Sequence, residues 1–317
     1  MQQFNDAQLN TMLNFVQSQK TYVEKTAYET KFPEIIYKDL VPVDMSAPAW
    51  TQTITNLTQA EIGEAGWTNL NADDMQTVEL KFATSEKPVY EAGVGYTYGY
   101  AEIQQAMAYG RNLSAEKAVV ARKAYERFMQ KVAFVGDKTK NLQGLATATS
   151  VNVISATKTW ATAPQAELLT MINQILVTKS ADGEFVTIAD TLLLPIAAWE
   201  ALVSRTLENG SGITLLTYIK ENNVYKATTG RDLDIRAIGQ LTKAGNGQLT
   251  RAVAYTRDPS VLNLHIPMPQ MFLPVRPTCL MNFSVGSMFR TAGVNIKDLT
   301  AVRYMDGVKG KSLTYQH

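Results

Sequence analysis

The chain has 317 residues, 45% of them hydrophobic, so it can form one large domain or two modest ones, each with a core. Its formal net charge of +1 excludes the basic excess of a dedicated nucleic-acid-binding protein. The single cysteine, Cys279, excludes an intrachain disulfide and fits a reducing cytoplasm. We expect no signal peptide, since polar residues follow Met1, and no membrane span, since the apolar runs are short.

Residues 5–25 predict an amphipathic helix, because Leu9, Leu13 and Val16 recur at helical spacing. A proline-containing connector follows it up to Pro48. A helix on an extended connector is typical of an arm that leaves the body of its subunit. An ordinary first helix of a compact domain is the alternative.

Residues 49–92 predict a two-stranded ribbon. Val78, Leu80 and Phe82 alternate with polar residues, which indicates a half-buried strand, and the run 50–57 is its expected partner. A two-stranded ribbon is barely stable alone in water, so it needs another surface, either on its own domain or on a neighbouring copy. The candidate inter-subunit contacts of these two segments are Leu9, Leu13, Val16, Trp50, Trp67, Val78, Leu80 and Phe82.

The strongest helical pattern covers residues 114–135. Ser114 is a suitable N-cap, and Gly136 is a suitable stop. The apolar stripe is narrow, which predicts a helix that lies on a surface. The outer face carries basic residues that could meet DNA or water: Lys117, Arg122, Lys123, Arg127 and Lys131.

Residues 146–265 alternate helical and strand patterns, which predicts a second domain. Within it, the runs 185–194 and 233–241 are each predicted to be one strand. Prolines punctuate the strand-rich region that follows, and residues 294–304 predict a final strand pair.

The residues that usually carry chemistry are scarce. His265 has apolar neighbours, which favours a core or edge histidine over a catalytic one, and His317 is far from it in sequence. One cysteine and two distant histidines exclude a structural zinc site. No glycine motif has the spacing of a phosphate-binding or dinucleotide-binding loop. We therefore predict no enzyme activity and no catalytic, metal or cofactor site.

Residues 96–145 carry a series of features in a familiar order. These are Tyr96, Tyr98, Glu102, Gly110, Leu113, the helix 114–135, Gly136-Asp137 and Gly144-Leu145, with Val41-Pro42-Val43-Asp44 upstream. In this order the chain resembles the major capsid proteins of tailed bacteriophages with the Hong Kong 97-type fold, in the branch related to encapsulin shells. After the helix this sequence reads Gly-Leu-Ala-Thr-Ala, where a Gly-Leu-Leu-Asn type of run is expected.

The resemblance implies an α+β fold with named parts. These would be an N-terminal arm (1–48), an extended β-hairpin loop (49–92), a peripheral domain (93–145 and 266–317) with a spine helix (114–135), and an axial domain (146–265). The implied function is self-assembly, through pentamers and hexamers, into an icosahedral head shell around double-stranded DNA. The implied location is the virion, after assembly in the cytoplasm of the host bacterium.

Further partners implied by the resemblance are portal, scaffolding and decoration proteins, with no membrane and no cofactor. One alternative is an encapsulin-like nanocompartment with a protein cargo. Others are an uncharacterised cytoplasmic enzyme that uses a cleft of the axial domain, and a tail-tube or other virion protein. The capsid interpretation depends on one expectation, that segments 1–48 and 49–92 bury their apolar side chains against a neighbouring copy.

Overall fold

The computed structural model describes residues 35–62, 79–110, 113–179, 186–207, 212–279 and 282–308. The helices are α1 (Tyr37–Leu40), α2 (Tyr100–Ala108), α3 (Leu113–Phe134), α4 (Gln165–Leu176), α5 (Ile196–Ser204), α6 (Leu215–Glu221) and α7 (Val224–Thr229). Short 3-10 helices cover Lys138–Lys140, Gly239–Lys243 and Asn246–Gln248. The predicted contacts Leu9, Leu13, Val16, Trp67 and Val78 lie outside the described residues.

The strands form several small sheets. The first nine are β1 (Val43–Asp44), β2 (Thr53–Ile62), β3 (Glu79–Pro88), β4 (Tyr90–Gly99), β5 (Gly136–Asp137), β6 (Leu142–Gln143), β7 (Asn152–Ser155), β8 (Val177–Lys179) and β9 (Val186–Ile188). The others are β10 (Thr191–Leu194), β11 (Asp234–Ala237), β12 (Arg251–Tyr255), β13 (Leu262–His265), β14 (Met268–Phe272), β15 (Arg276–Cys279), β16 (Asn282–Thr291), β17 (Gly293–Ile296) and β18 (Val302–Asp306).

Helix α3 forms because apolar residues recur every three or four positions and one face of the helix can be buried. Its buried residues include Ala121, Tyr125, Met129 and Val132. Glu116 in the first turn and Lys131 in the last turn complement the helix dipole. The prediction of a helix over 114–135 is confirmed to within one residue at each end.

Strand β4 pairs with β16 over its full length, from Tyr90 opposite Thr291 to Gly99 opposite Asn282. On the other side, β16 pairs with β14 and β15. At Gly93 an added Cβ would lie 2.7 Å from the carbonyl oxygen of Ser287, so only glycine allows this close approach.

A five-stranded sheet runs in the order β11-β10-β12-β18-β7. The expected strand pair at 294–304 is wrong, because β17 pairs with β13 whereas β18 pairs with β12 and β7. The sequence-based division at residue 266 placed β18 in the predicted peripheral domain (93–145 and 266–317). Its hydrogen bonds instead join it to the sheet of residues 152–255.

Two apolar cores lie on opposite faces of this sheet. Leu193, Val253 and Tyr304 belong to one core. Leu192, Ala252 and Met305, which are their neighbours along the strands, belong to the other. Because successive side chains of a strand point to opposite faces, the sheet is buried on both sides and carries few polar residues in its centre.

An ion pair is buried where β12 begins and β18 ends. Arg251 donates Nε–H to Oδ1 of Asp306 at 2.7 Å and Nη2–H to Oδ2 at 2.8 Å. The two side chains are only 4% and 6% exposed. The same guanidinium donates to the carbonyl oxygen of Ala146 and lies over the ring of Tyr304. This network joins β12, β18 and the segment after β6.

Two strand predictions in this region need correction. The run 185–194 is not one strand, because the chain bends between β9 and β10. There the carboxylate of Asp190 accepts hydrogen bonds from the Thr191 hydroxyl and the Arg257 backbone N–H. The run 233–241 forms β11 and then the 3-10 helix Gly239–Lys243.

Residues 37–44 pack on the body of their own subunit. Tyr37, Leu40 and Val41 are fully buried in the first core. The Tyr37 hydroxyl donates to Glu126 of α3, and the Tyr255 hydroxyl donates to the carbonyl oxygen of Leu40. The expectation that all of segment 1–48 leaves the body therefore does not hold for residues 37–44.

Candidate inter-subunit surfaces

The hairpin β2–β3 extends from the body. Its strands have ten residues each and pair in register from Thr53 opposite Pro88 to Ile62 opposite Glu79. At roughly 3.3 Å per residue, the ribbon is about 33 Å long. Among the described residues, β2 and β3 pair only with each other. The predicted ribbon is thus present.

The predicted contacts Leu80 and Phe82 both lie on β3, where they stand opposite Glu61 and Gln59. Residues two apart on a strand share a face, so these two positions mark one face of the ribbon. A two-stranded ribbon of this length gains little stability from itself. Leu80 and Phe82 therefore stay predicted contacts.

Trp50 lies at the base of the hairpin and is 64% exposed. Arg290 of β16 donates Nη1–H to the carbonyl oxygen of Ala49, and its guanidinium lies 5.7 Å from the centre of the Trp50 ring. The cation restricts the exposed indole before binding. The ring therefore offers a large apolar area to a partner, and fixing it on binding costs little conformational entropy. Trp50 is the predicted contact whose side-chain surroundings the structure describes.

Most of the five basic residues of α3 are engaged within the subunit. Lys117 donates to the carbonyl oxygen of Thr97 and forms an ion pair of 2.6 Å with Glu102. Arg127 donates Nε–H to the carbonyl oxygen of Lys123. Lys117 therefore joins α2, α3 and β4.

Nη2 of Arg122 lies 3.3 Å from Oε1 of Glu126, and the guanidinium group lies over the ring of Tyr125. The side chain of Arg122 is 47% exposed, and Lys131 is exposed as well. The structure thus does not bring the five basic residues together as one free positive face.

Sequence reasoning missed two sets of exposed apolar residues. The first set lies on α2, at its C-terminal end and on α3: Tyr100, Met107, Tyr109, Val119 and Val120. A signal was available at Val119-Val120, since adjacent helical residues point about 100° apart and neither fits the stripe through Ala118 and Ala121.

A second missed surface lies where β14 leads to β15. Met271, Phe272, Leu273 and Val275 are all at least one third exposed. The ring of Phe272 lies 6.2 Å from that of Tyr96. Exposed apolar side chains in such a run typically mark a protein contact.

A metal centre or a membrane segment is not found in the described part of the chain. None of its groups of histidine, cysteine, aspartate and glutamate could hold a metal ion. None of its helices is both long and apolar enough to cross a membrane.

The comparisons with known proteins point in one direction. The sequence model of the Major capsid protein family matches residues 63–308. No curated protein matches the chain. The fold is similar to that of the capsid of Myoviridae Phage XM1, with a TM-score of 0.73 and 17% identity, covering 92% of this chain and 97% of that chain.

Two further solved structures share the fold. The capsid of an empty GTA particle matches with a TM-score of 0.62 and 10% identity, covering 92% of this chain and 97% of that chain. A chain of Mycobacterium phage Bobi matches with a TM-score of 0.60 and 14% identity, covering 96% of this chain and 99% of that chain. The family model covers most of the chain. The chain belongs to the major capsid protein family, has the Hong Kong 97-type fold of tailed-phage capsids and forms a capsid shell.

Proposed function

We propose that this chain builds the icosahedral head shell of a tailed phage around double-stranded DNA, and that the hairpin β2–β3 makes the main contact with the neighbouring copy. One observation carries the proposal: among the described residues, a ribbon of about 33 Å pairs with nothing but itself, beside a Trp50 that is 64% exposed. Such a ribbon needs a surface.

The free energy of each contact is modest. At about 25 cal/mol per Å² of apolar area, a few hundred Å² contribute several kcal/mol before the entropy costs of association. A closed shell makes several such contacts per subunit, so multivalency stabilises the whole. Pentamers and hexamers use heterologous contacts, in which a surface of one copy meets a different surface of the next.

In this assignment each part of the chain has a role. Residues 1–48 form the arm, although residues 37–44 pack on the body. Residues 49–92 form the extended loop, residues 93–145 and 266–317 the peripheral domain, and residues 146–265, with β18 added to their sheet, the axial domain. The runs on α2–α3 and β14–β15 add apolar area for contacts.

DNA contact is non-specific in this proposal, through Arg122 and Lys131, the exposed basic side chains of α3. The near-zero net charge supports a weak interaction, since affinity for DNA rises with the number of phosphates that are neutralised. We further propose that the chain has no catalytic activity of its own. We also propose that it assembles in the host cytoplasm together with portal, scaffolding and decoration proteins.

The test shortens the hairpin. Residues 55–86 are replaced by Asn-Gly, a two-residue turn suited to a hairpin, so that Ile54 and Lys87 keep their register pairing. We expect the variant to fold, with an unchanged circular dichroism melting curve for the body, and to give no shells in electron micrographs. Wild-type chain, expressed in parallel, gives shells that protect DNA from nuclease. Closed shells from the shortened chain would contradict the proposal.

A further inference from the structure

The base of the hairpin contacts the three-stranded sheet β1-β13-β17 through Lys87, which donates to the carbonyl oxygen of Val294. This sheet carries a cluster of polar side chains. Asn263 donates Nδ2–H to Oδ2 of Asp44 at 3.2 Å, and Nδ1 of His265 lies 3.3 Å from the same oxygen. Asn295 stands directly opposite Asn263. Residues two apart or directly opposite share a face, so these side chains occupy one face of the sheet while Leu264 and Val294 fill the core on the other.

His265 is 5% exposed, and its Nε2 is buried without a hydrogen-bond partner among the described residues. When the neutral ring carries its proton on Nδ1, the nitrogen near Asp44, its Nε2 is a hydrogen-bond acceptor without a donor. Protonation would turn Nε2 into a buried donor with nothing to accept from it, which is costly in an enclosed site. The geometry therefore favours the neutral ring.

The charged groups that face His265 come from three elements. Asp44 lies on β1, Lys87 on β3, and Lys297 follows β17. Burial lowers the pKa of His265 below its ordinary value of 6.5, Asp44 acts in the opposite direction, and the two lysines lower it further. Asp44 itself stays ionised, because hydrogen bonds from Ser46 lower the pKa of its carboxyl group.

Lys87 is the residue of this cluster that belongs to the hairpin. Its ammonium group donates to the carbonyl oxygen of Val294 at 2.8 Å, which ties β3 to β17. Burial lowers the pKa of Lys87 as well. Lys87 also lines a cavity of about 240 Å³ together with Glu86 and Lys140. At about 30 Å³ per water this space holds several molecules, so the ammonium group can leave its carbonyl partner and be hydrated.

We propose that this cluster is a pH-sensitive clasp, in which neutral His265 lets Lys87 hold the hairpin base on β17 and protonated His265 drives Lys87 into the cavity and frees the base. The pKa of His265 in the folded chain lies below its value in the unfolded chain. The closed clasp is therefore fully favoured above about pH 6.5 and is weakened as the pH falls toward the folded-state pKa. The clasp is a property of one subunit, and only its effect on neighbouring copies rests on the proposed function.

The test is hydrogen–deuterium exchange of the full chain between about pH 7.5 and about pH 5, corrected for the intrinsic pH dependence of exchange, a window that brackets the ordinary pKa of histidine. The reporter is the amide of Val89, which donates to the carbonyl oxygen of Gln52 at the hairpin base. We expect wild-type chain to lose protection there several-fold at the lower pH, while amides of β12 stay protected. Unchanged protection of Val89 would overturn the clasp.

Three variants test which residues cause the pH dependence of protection at Val89. His265→Gln removes the titrating ring and should abolish the pH response. Lys87→Met removes the tether and should give low protection at both pH values. His317→Gln, at the other histidine of the chain, should respond like wild type. A pH response of His265→Gln equal to that of wild type would contradict the proposal.

A second measurement applies if His265→Gln does not fold. The pKa of His265 in carbon-labelled protein, followed by NMR, should rise in Lys87→Met. An unchanged pKa overturns the coupling. Both measurements concern contacts within one subunit. The clasp can therefore be contradicted while the shortened hairpin still abolishes shells, and the clasp can be supported while the shortened chain still forms shells.

Discussion

The hairpin β2–β3 has two strands of ten residues, whereas the sheet β11-β10-β12-β18-β7 has five strands of four or five residues, and the two depend on different partners. In the sheet, Leu192, Leu193 and Leu194 are all fully buried between two cores. In the hairpin, the described side chains Thr53, Thr55, Thr84 and Ser85 are exposed. The sheet is therefore stable within one subunit, whereas the hairpin has surface to offer to another. Substitutions in the two regions should separate folding from assembly.

The largest expected effect on folding is at the buried ion pair. Asp306→Ala leaves Arg251 charged and unpaired, so we expect the free energy of unfolding to fall by about 3–5 kcal/mol. Urea titration followed by far-ultraviolet circular dichroism measures it. The double variant Arg251→Met with Asp306→Leu should recover much of the loss, since it removes both charges. If Asp306→Ala lowered the free energy of unfolding no more than the loss of a surface ion pair does, water would have to reach the pair in the folded chain.

A smaller effect is expected at Gly136, which follows α3. Its φ is +73°, and an added Cβ would lie 2.1 Å from the carbonyl oxygen of Leu142. Gly136→Ala should therefore cost more than the roughly 1–2 kcal/mol of a left-handed residue alone. Gly230→Ala is the matched control, because Gly230 has a φ of +72° but open space around its Cα. Equal melting temperatures for the two variants would contradict the steric argument.

The smallest effect on folding is expected at the hairpin base. Trp50→Ala removes an exposed ring, so the free energy of unfolding should change by no more than about 0.5 kcal/mol. The yield of shells, measured by sedimentation, should nevertheless fall sharply. Leu299→Ala, at an exposed apolar residue between β17 and β18, is the control and should assemble normally. A normal yield from Trp50→Ala would remove this indole from the contact.

The sequence predicted the elements whose signal is local. The stripe of α3 and the alternation at Leu80 and Phe82 each fix a period within a short window, and both elements are present. It did not predict that Val302–Asp306 pairs with Arg251–Tyr255, because the alternation of a strand does not name its partner. It also placed Tyr37 and Leu40 in an arm, since nothing local indicates that they reach the core beside Tyr125.

The residues of the candidate surfaces could be predicted only in part for the same reason. Trp50 was selected because a tryptophan beside a ribbon is conspicuous, and its role as a contact stays a prediction. Lys117 was assigned to an outer basic face, yet its partners Glu102 and Thr97 are brought to it only when α2 and β4 fold back along α3. Met271 to Val275 gave no clear pattern, because prolines interrupt the alternation that would have marked them.

The position of β18 has a consequence for biosynthesis. This strand lies between β7 and β12, yet it is made about 150 residues after β7. At about 5–20 residues per second, the ribosome needs roughly 8–30 s to add it. Until then the sheet between the two cores lacks β18, and β7 has no partner strand. We therefore expect a nascent chain not to complete its fold, and not to polymerise, before this strand is made.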